Sequence, residues 1–178
     1  MRRIYDSDAV VRDDDPHTPR ERDEGRGSRS HVDWGNLSHA LMPVRLRHLA
    51  VDVSVTTDRA SIAPGDPVDV EVRLRNRLPF PVRLRTASPV LWKWAVDGVV
   101  EASEYDEGPA PEGTGVLSFG RSETKTFHRR WTGHVRRSER TWEPVEAGEH
   151  TVAAWVNVDD PAARGLRADT TVTVEGDA

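Results

Sequence analysis

Residues 64 to 76 constrain the fold more than any other stretch of this 178-residue chain. After Pro64-Gly65, the apolar residues Val68, Val70, Val72 and Leu74 alternate with Asp69, Glu71, Arg73 and Arg75. A period of two sends successive side chains to opposite faces of a sheet, so one face is apolar and the other charged. A strand in a parallel sheet covered on both sides would not tolerate that charged face, so the pattern points to an antiparallel, half-solvated sheet.

The alternation recurs along the chain. Val51, Val53 and Val55 precede it, Ile62 sits in a short return segment, and Val82 and Leu84 follow with Arg83 and Arg85 outside. Between them, 76–81 reads as a proline-containing connection. Val90, Trp92, Trp94 and Val96 lead into Asp97-Gly98, a dipeptide suited to a tight hairpin turn because both positions accept positive φ, and Val99 and Val100 start the return. After a loop rich in Gly, Pro and Glu (101–115) come 116–119 and 123–131. A turn at Glu146-Ala147-Gly148-Glu149 then precedes Val152, Ala154, Val156 and Val158, and Thr170, Val172 and Val174 close the series. Short strands spaced by turns, with no long helical pattern, predict an all-β fold: an antiparallel, immunoglobulin-like β-sandwich of seven to nine strands over residues 50–176.

Residues 1–31 predict a disordered charged arm. Its Asp, Glu and Arg runs, broken by Pro and Gly, hold too little apolar surface to offset the entropy of ordering. Ile4-Tyr5 and Ala9-Val10-Val11 are the parts that would dock, if any do. Residues 32–49 form a more apolar bridge in which Asn36 or Ser38 could cap one helical turn ended by Pro43.

Composition narrows the function classes. The chain has no cysteine, which excludes disulfides, thiolate metal sites and thiol nucleophiles. No run approaches the ~20 apolar residues of a membrane span, and charge follows the N-terminus where a signal peptide would be apolar, so a cytoplasmic location is expected. The net charge is −5, which disfavours nucleic acid as a general partner. Few lysines beside surplus acid suit a halophilic, salt-adapted surface.

The order of these motifs resembles a known family. It runs from Pro81-Val82-Arg83-Leu84 to the aromatic strand ending in Asp97-Gly98, then Gly120-Arg121-Ser122-Glu123-Thr124, and finally Ala147-Gly148-Glu149-His150-Thr151-Val152. This is similar to the immunoglobulin-like domain of intracellular proteinase inhibitors (BsuPI-type) and to uncharacterised single-domain proteins of halophilic archaea. The resemblance spans about residues 50–175 and implies the sandwich fold and, for activity, proteinase inhibition. The Arg-rich insertion between Trp131 and Trp142 departs from the family pattern.

That insertion carries the candidate partner-binding residues. Arg129, Arg130, Arg136, Arg137 and Arg140 lie around Trp131 and Trp142, with Glu139 as the only acid in 128–142. Guanidinium groups pair with carboxylate or phosphate, and indoles offer stacking faces. The segment is therefore either a binding loop or a solvated hairpin whose arginine stems cover the indoles. Trp155 has the outward parity of its strand, which makes it a contact residue or a residue covered by that loop. Either way, Trp131, Trp142 and Trp155 are expected to lie close together.

No catalytic residue, cofactor site or metal site is predicted. The histidines lack metal-ligand spacing, the acidic loop Glu101, Glu104, Asp106, Glu107 and Glu112 lacks the calcium-loop pattern, and His150 beside Glu149 has no nucleophile nearby. The expected role is a non-catalytic intracellular protein-binding module whose partner is a protein or acidic peptide. A proteinase-inhibitor-like regulator and an accessory domain of a membrane or nucleoprotein complex are the alternatives. A monomer or weak homodimer is expected.

Overall fold

Every named element of the computed structural model, which describes residues 48–104, 108–109 and 111–176, is a β-strand. The described residues belong to one unit, Val32–Ala178. The expectations for the arm at 1–31 and for most of the bridge lie outside the described residues, as do Asp106 and Glu107 of the acidic loop.

Each long alternating segment forms a strand at its expected place. β1 (Val51–Thr57) and β8 (Thr124–Trp131) flank β3 (Val68–Asn76) in a three-stranded antiparallel sheet. The second sheet has the order β2 (Ser61–Ile62), β12 (Arg167–Val174), β11 (Gly148–Val156), β5 (Trp92–Val96), β6 (Val99–Val100). β2 joins β12 in parallel and all other pairs are antiparallel. Two further ladders complete the set: β4 (Val82–Thr86) with β7 (Gly115–Phe119), and β9 (His134–Arg136) with β10 (Trp142–Pro144). The sandwich therefore holds more strands than the alternation alone marks, because segments of two or three residues are too short to display a period.

The core follows from parity. Val68, Val70, Val72 and Leu74 are fully buried, and they meet Val152, Ala154, Val156 and Val172 from the other sheet in one cluster. Burial of each such aliphatic side chain contributes about 1.5–3 kcal/mol. On the opposite face of β3, Asp69, Arg73 and Arg75 are exposed, as the alternation requires.

Two details of chain geometry position the remaining features. Asp97 (φ 49) and Gly98 (φ 83) both adopt positive φ, which gives the tight turn between β5 and β6. The β3–β8 ladder ends at the pair Arg75 and Thr124, and the β4–β7 ladder starts at Val82 and Phe119. Asn76, fully buried, spans this break. Its Nδ2 donates to the carbonyls of Phe80 and Gly120 (2.8 Å each), and its Oδ1 accepts from the Leu78 N–H at 3.0 Å. A buried amide thus satisfies backbone groups that the interrupted ladder would otherwise leave open.

Candidate functional site

The arginine-rich insertion folds as a hairpin rather than an irregular loop. Thr132-Gly133 turns the chain after β8, with Gly133 at φ 68, and β9 then pairs with β10 in the register Arg136 to Trp142 and His134 to Pro144. One side of the hairpin is fastened to the segment after β6. The Arg136 N–H donates to the Ala102 carbonyl (2.9 Å) and the Glu104 N–H donates to the Arg136 carbonyl (2.7 Å). Glu101 and Ala102 both hold positive φ, 53 and 50, a conformation that costs on the order of 1 kcal/mol for each non-glycine residue. Packing and hydrogen bonds hold them there: Ala102 is buried, and the Glu101 carboxylate accepts from the Trp94 indole.

The candidate residues separate into three groups. Trp131 is a core residue, 2% exposed, with its indole N–H donating to the His134 carbonyl at 2.9 Å and its ring set edge-on to His150. Arg129 points toward the opposite sheet from the edge strand β8, and its guanidinium lies 4.8 Å from the Trp92 ring centroid. Trp92 in turn stacks on Phe127 at 4.8 Å. These residues close the seam between the sheets, and an inward-pointing cation on an edge strand also discourages edge-to-edge pairing. Arg130 faces out and is paired with Asp69 at 3.1 Å.

The hairpin itself carries Arg136, Arg137, Arg140 and Trp142. Arg137 is held between Glu104 and Glu143, which raise its already high pKa through side-chain hydrogen bonds. Arg136 lies over the Trp142 ring, 5.8 Å from its centroid, and donates to the Glu139 carbonyl. Trp142 is 53% exposed, and Arg140 is exposed with no ion-pair partner among the described residues. At the hairpin, Trp142 and Arg140 are thus exposed, and Arg136 is half-buried beside the indole.

Trp155 lies elsewhere. Its outward parity holds, with Arg167 across the ladder 5.6 Å from its ring and Lys93 on the other side. Trp131 sits beside His150, five residues away along β11 or roughly 16 Å at strand spacing, and on the other face. The three indoles do not form one cluster. The expectation failed because sequence parity gives the face of a strand but not which end of it a distant loop covers.

Two acids of the loop after β6 are engaged with the protein, Glu101 with Trp94 and Glu104 with Arg137, while Glu112 is exposed. Among the described residues, no group of three His, Asp or Glu side chains is arranged to hold a metal ion. His150 pairs with Asp97 (2.6 Å) and with the Glu146 carbonyl (2.8 Å), rather than with Glu149. Asp97 also accepts the Thr151 N–H at 2.8 Å, so the pair ties the β5–β6 turn to β11. Sequence reasoning missed this contact because its partners are 53 residues apart. Among the described residues, no helix is long and apolar enough to cross a membrane.

Comparison with known proteins adds a family. Among solved structures, the chain is similar to the CARDB domain of the PF1109 protein from Pyrococcus furiosus, crystallised in complex with di-metal ions. That likeness has a TM-score of 0.44 and 15% identity over 71% of this chain and 94% of that one. It is also similar to part of the alkylpurine DNA glycosylase AlkC of Pseudomonas fluorescens, with TM-score 0.42, 16% identity, 71% of this chain and 31% of that one. A β-glucosidase from Listeria innocua gives TM-score 0.42 and 14% identity over 71% of this chain and 16% of its own. Likeness at this level concerns the fold alone. No curated protein matches the sequence. Residues 39–175 match a family profile across the whole described sandwich, and the chain belongs to that family, DUF7974, a family of unknown function.

Proposed function

We propose that this chain is a non-catalytic intracellular binding module that presents the β9–β10 hairpin to a protein or acidic peptide. The observation that carries this reading is Trp142. A large indole, 53% exposed, sits on a fastened hairpin beside Arg136, and nearby Arg140 has no ion-pair partner among the described residues. Tryptophan and arginine are enriched among the residues that dominate binding energy, and rigid mounting reduces the ordering cost of association. The two salt bridges of Arg137 and the backbone bonds to Ala102 and Glu104 supply that mounting.

The test uses partners retained by the tagged full-length protein from its native extract. Trp142→Ser and Arg140→Glu each change an exposed residue and leave the hairpin fastenings in place. Both are expected to lose the same specific partners, while Arg121→Glu, on a distant exposed turn, keeps them. Identical partner sets for all of these proteins would overturn the proposal. Proteinase inhibition makes a different demand: residual proteolysis in the same extract must fall in proportion to added protein.

A further inference from the structure

We infer a second binding site, for a small organic polyanion bearing phosphate or carboxylate groups, in a groove walled by Arg83, Arg85 and Arg164. The groove encloses about 660 Å³ between β4, the start of β7 and the segment that follows β11. That volume lies within the range of sites for small ligands, about 300–1,000 Å³.

Charge singles this groove out. The chain as a whole carries a net charge of −5, and five of its fourteen described arginines are neutralised locally: Arg59 by Asp58, Arg73 by Glu71, Arg77 by Asp52, Arg130 by Asp69 and Arg137 by two glutamates. Arg83 and Arg85 have no ion-pair partner among the described residues, and they stand two apart on β4, on one face. Strand geometry spaces such a pair by roughly 6.6 Å. Arg164 approaches from the turn after β11, with one guanidinium nitrogen 3.2 Å from Nδ1 of His48. His48 is itself buried, 6% exposed, so the Arg164 guanidinium is steadied by a fixed ring. Against these cations, Asp159 is the one acid among the described residues that line the groove.

The remaining wall narrows the ligand class. Thr86 already donates its hydroxyl to the Ser88 carbonyl, and the Ala87 N–H donates to Asn157, so neutral donors are largely used. Recognition falls to the guanidinium forks, which match planar carboxylate and tetrahedral phosphate oxygens in bidentate geometry. Val116, 54% exposed on β7 opposite Arg85, supplies an apolar strip beside them. A ligand with two anionic groups on a short carbon frame satisfies both features. This site is separate from the β9–β10 hairpin and does not depend on the role proposed for it.

The experiment is a titration of the full-length protein at low ionic strength, followed by backbone amide shifts and calorimetry. Pyrophosphate serves as the phosphate probe and citrate as the carboxylate probe. At least one probe is expected to give saturable shifts confined to residues of the groove, and the stronger probe identifies the anionic group. Arg83→Ala combined with Arg85→Ala, both at exposed positions, is expected to weaken that binding at least tenfold while leaving the thermal midpoint unchanged. Trp142→Ser is expected to bind as the parent does. Failure of both probes to saturate, shifts scattered over the whole surface, or unchanged binding by the double variant would overturn the inference.

Discussion

Asn76→Ala removes the side chain that carries the chain across the gap between two ladders. In the folded protein this amide makes three hydrogen bonds from a fully buried position, two from Nδ2 at 2.8 Å and one to Oδ1 at 3.0 Å. Truncation strands the Leu78 N–H and weakens the environment of the Phe80 and Gly120 carbonyls. Those segments lie near the surface, so each lost bond is counted at the low end, about 1 kcal/mol, giving about 3 kcal/mol in total. A domain of this size unfolds with about 6–15 kcal/mol, so the loss is a large fraction of its stability. Urea unfolding followed by tryptophan fluorescence is expected to show a lower midpoint with an unchanged slope, and the thermal midpoint falls by about 10 °C. Asn76→Leu separates hydrogen bonding from packing, because it refills the space without donors or acceptors. A loss under about 1 kcal/mol for the alanine variant, or full recovery with leucine, would refute the role given to the amide.

Other substitutions test other links. Gly115→Ala is expected to cost about 1–3 kcal/mol by overpacking, since a Cβ there would lie 2.6 Å from Thr86 Oγ1 and 2.9 Å from the Ser88 carbonyl; chemical denaturation measures it. Val72→Asp, which buries a carboxylate at the centre of β3, is expected to abolish cooperative unfolding by circular dichroism. Glu123 carries a pH signature: hydrogen bonds from the Lys125 ammonium and then from the Gly120 N–H hold its pKa below the ordinary carboxylate value. A depressed folded pKa contributes stability above the unfolded pKa, and that contribution is lost as pH falls through the folded one. Glu123→Gln is therefore expected to be less stable than the parent at neutral pH, with the difference closing in the acid range below the ordinary glutamate pKa, as followed by thermal midpoints against pH.

Strand positions were legible in the sequence wherever burial on one side imposes alternation, and β1, β3, β4, β5, β11 and β12 all follow from it. The Asp97-Gly98 turn was legible for a local reason, since few dipeptides accept two positive φ values. What depends on contacts distant in sequence was not. Nothing near Asn76 announces that its amide reaches Gly120, 44 residues on, or that His150 meets Asp97. The candidate site divides the same way. An arginine-rich composition marked the insertion, but only the fold reveals that Trp131 is core, Arg129 closes the seam and Arg137 is already paired. Arg83 and Arg85 read as ordinary solvent-facing strand residues until Arg164 and His48 were placed beside them.

The role of the hairpin is tested most directly by a photo-crosslinking amino acid placed at position 142, with the same group at position 121 as a control. Crosslinking in native extract is expected to give a specific adduct from position 142 that disappears when Arg140→Glu is added. Adducts of the same identity from both positions, or an adduct at 142 indifferent to the Arg140 change, would contradict a binding surface at the β9–β10 hairpin.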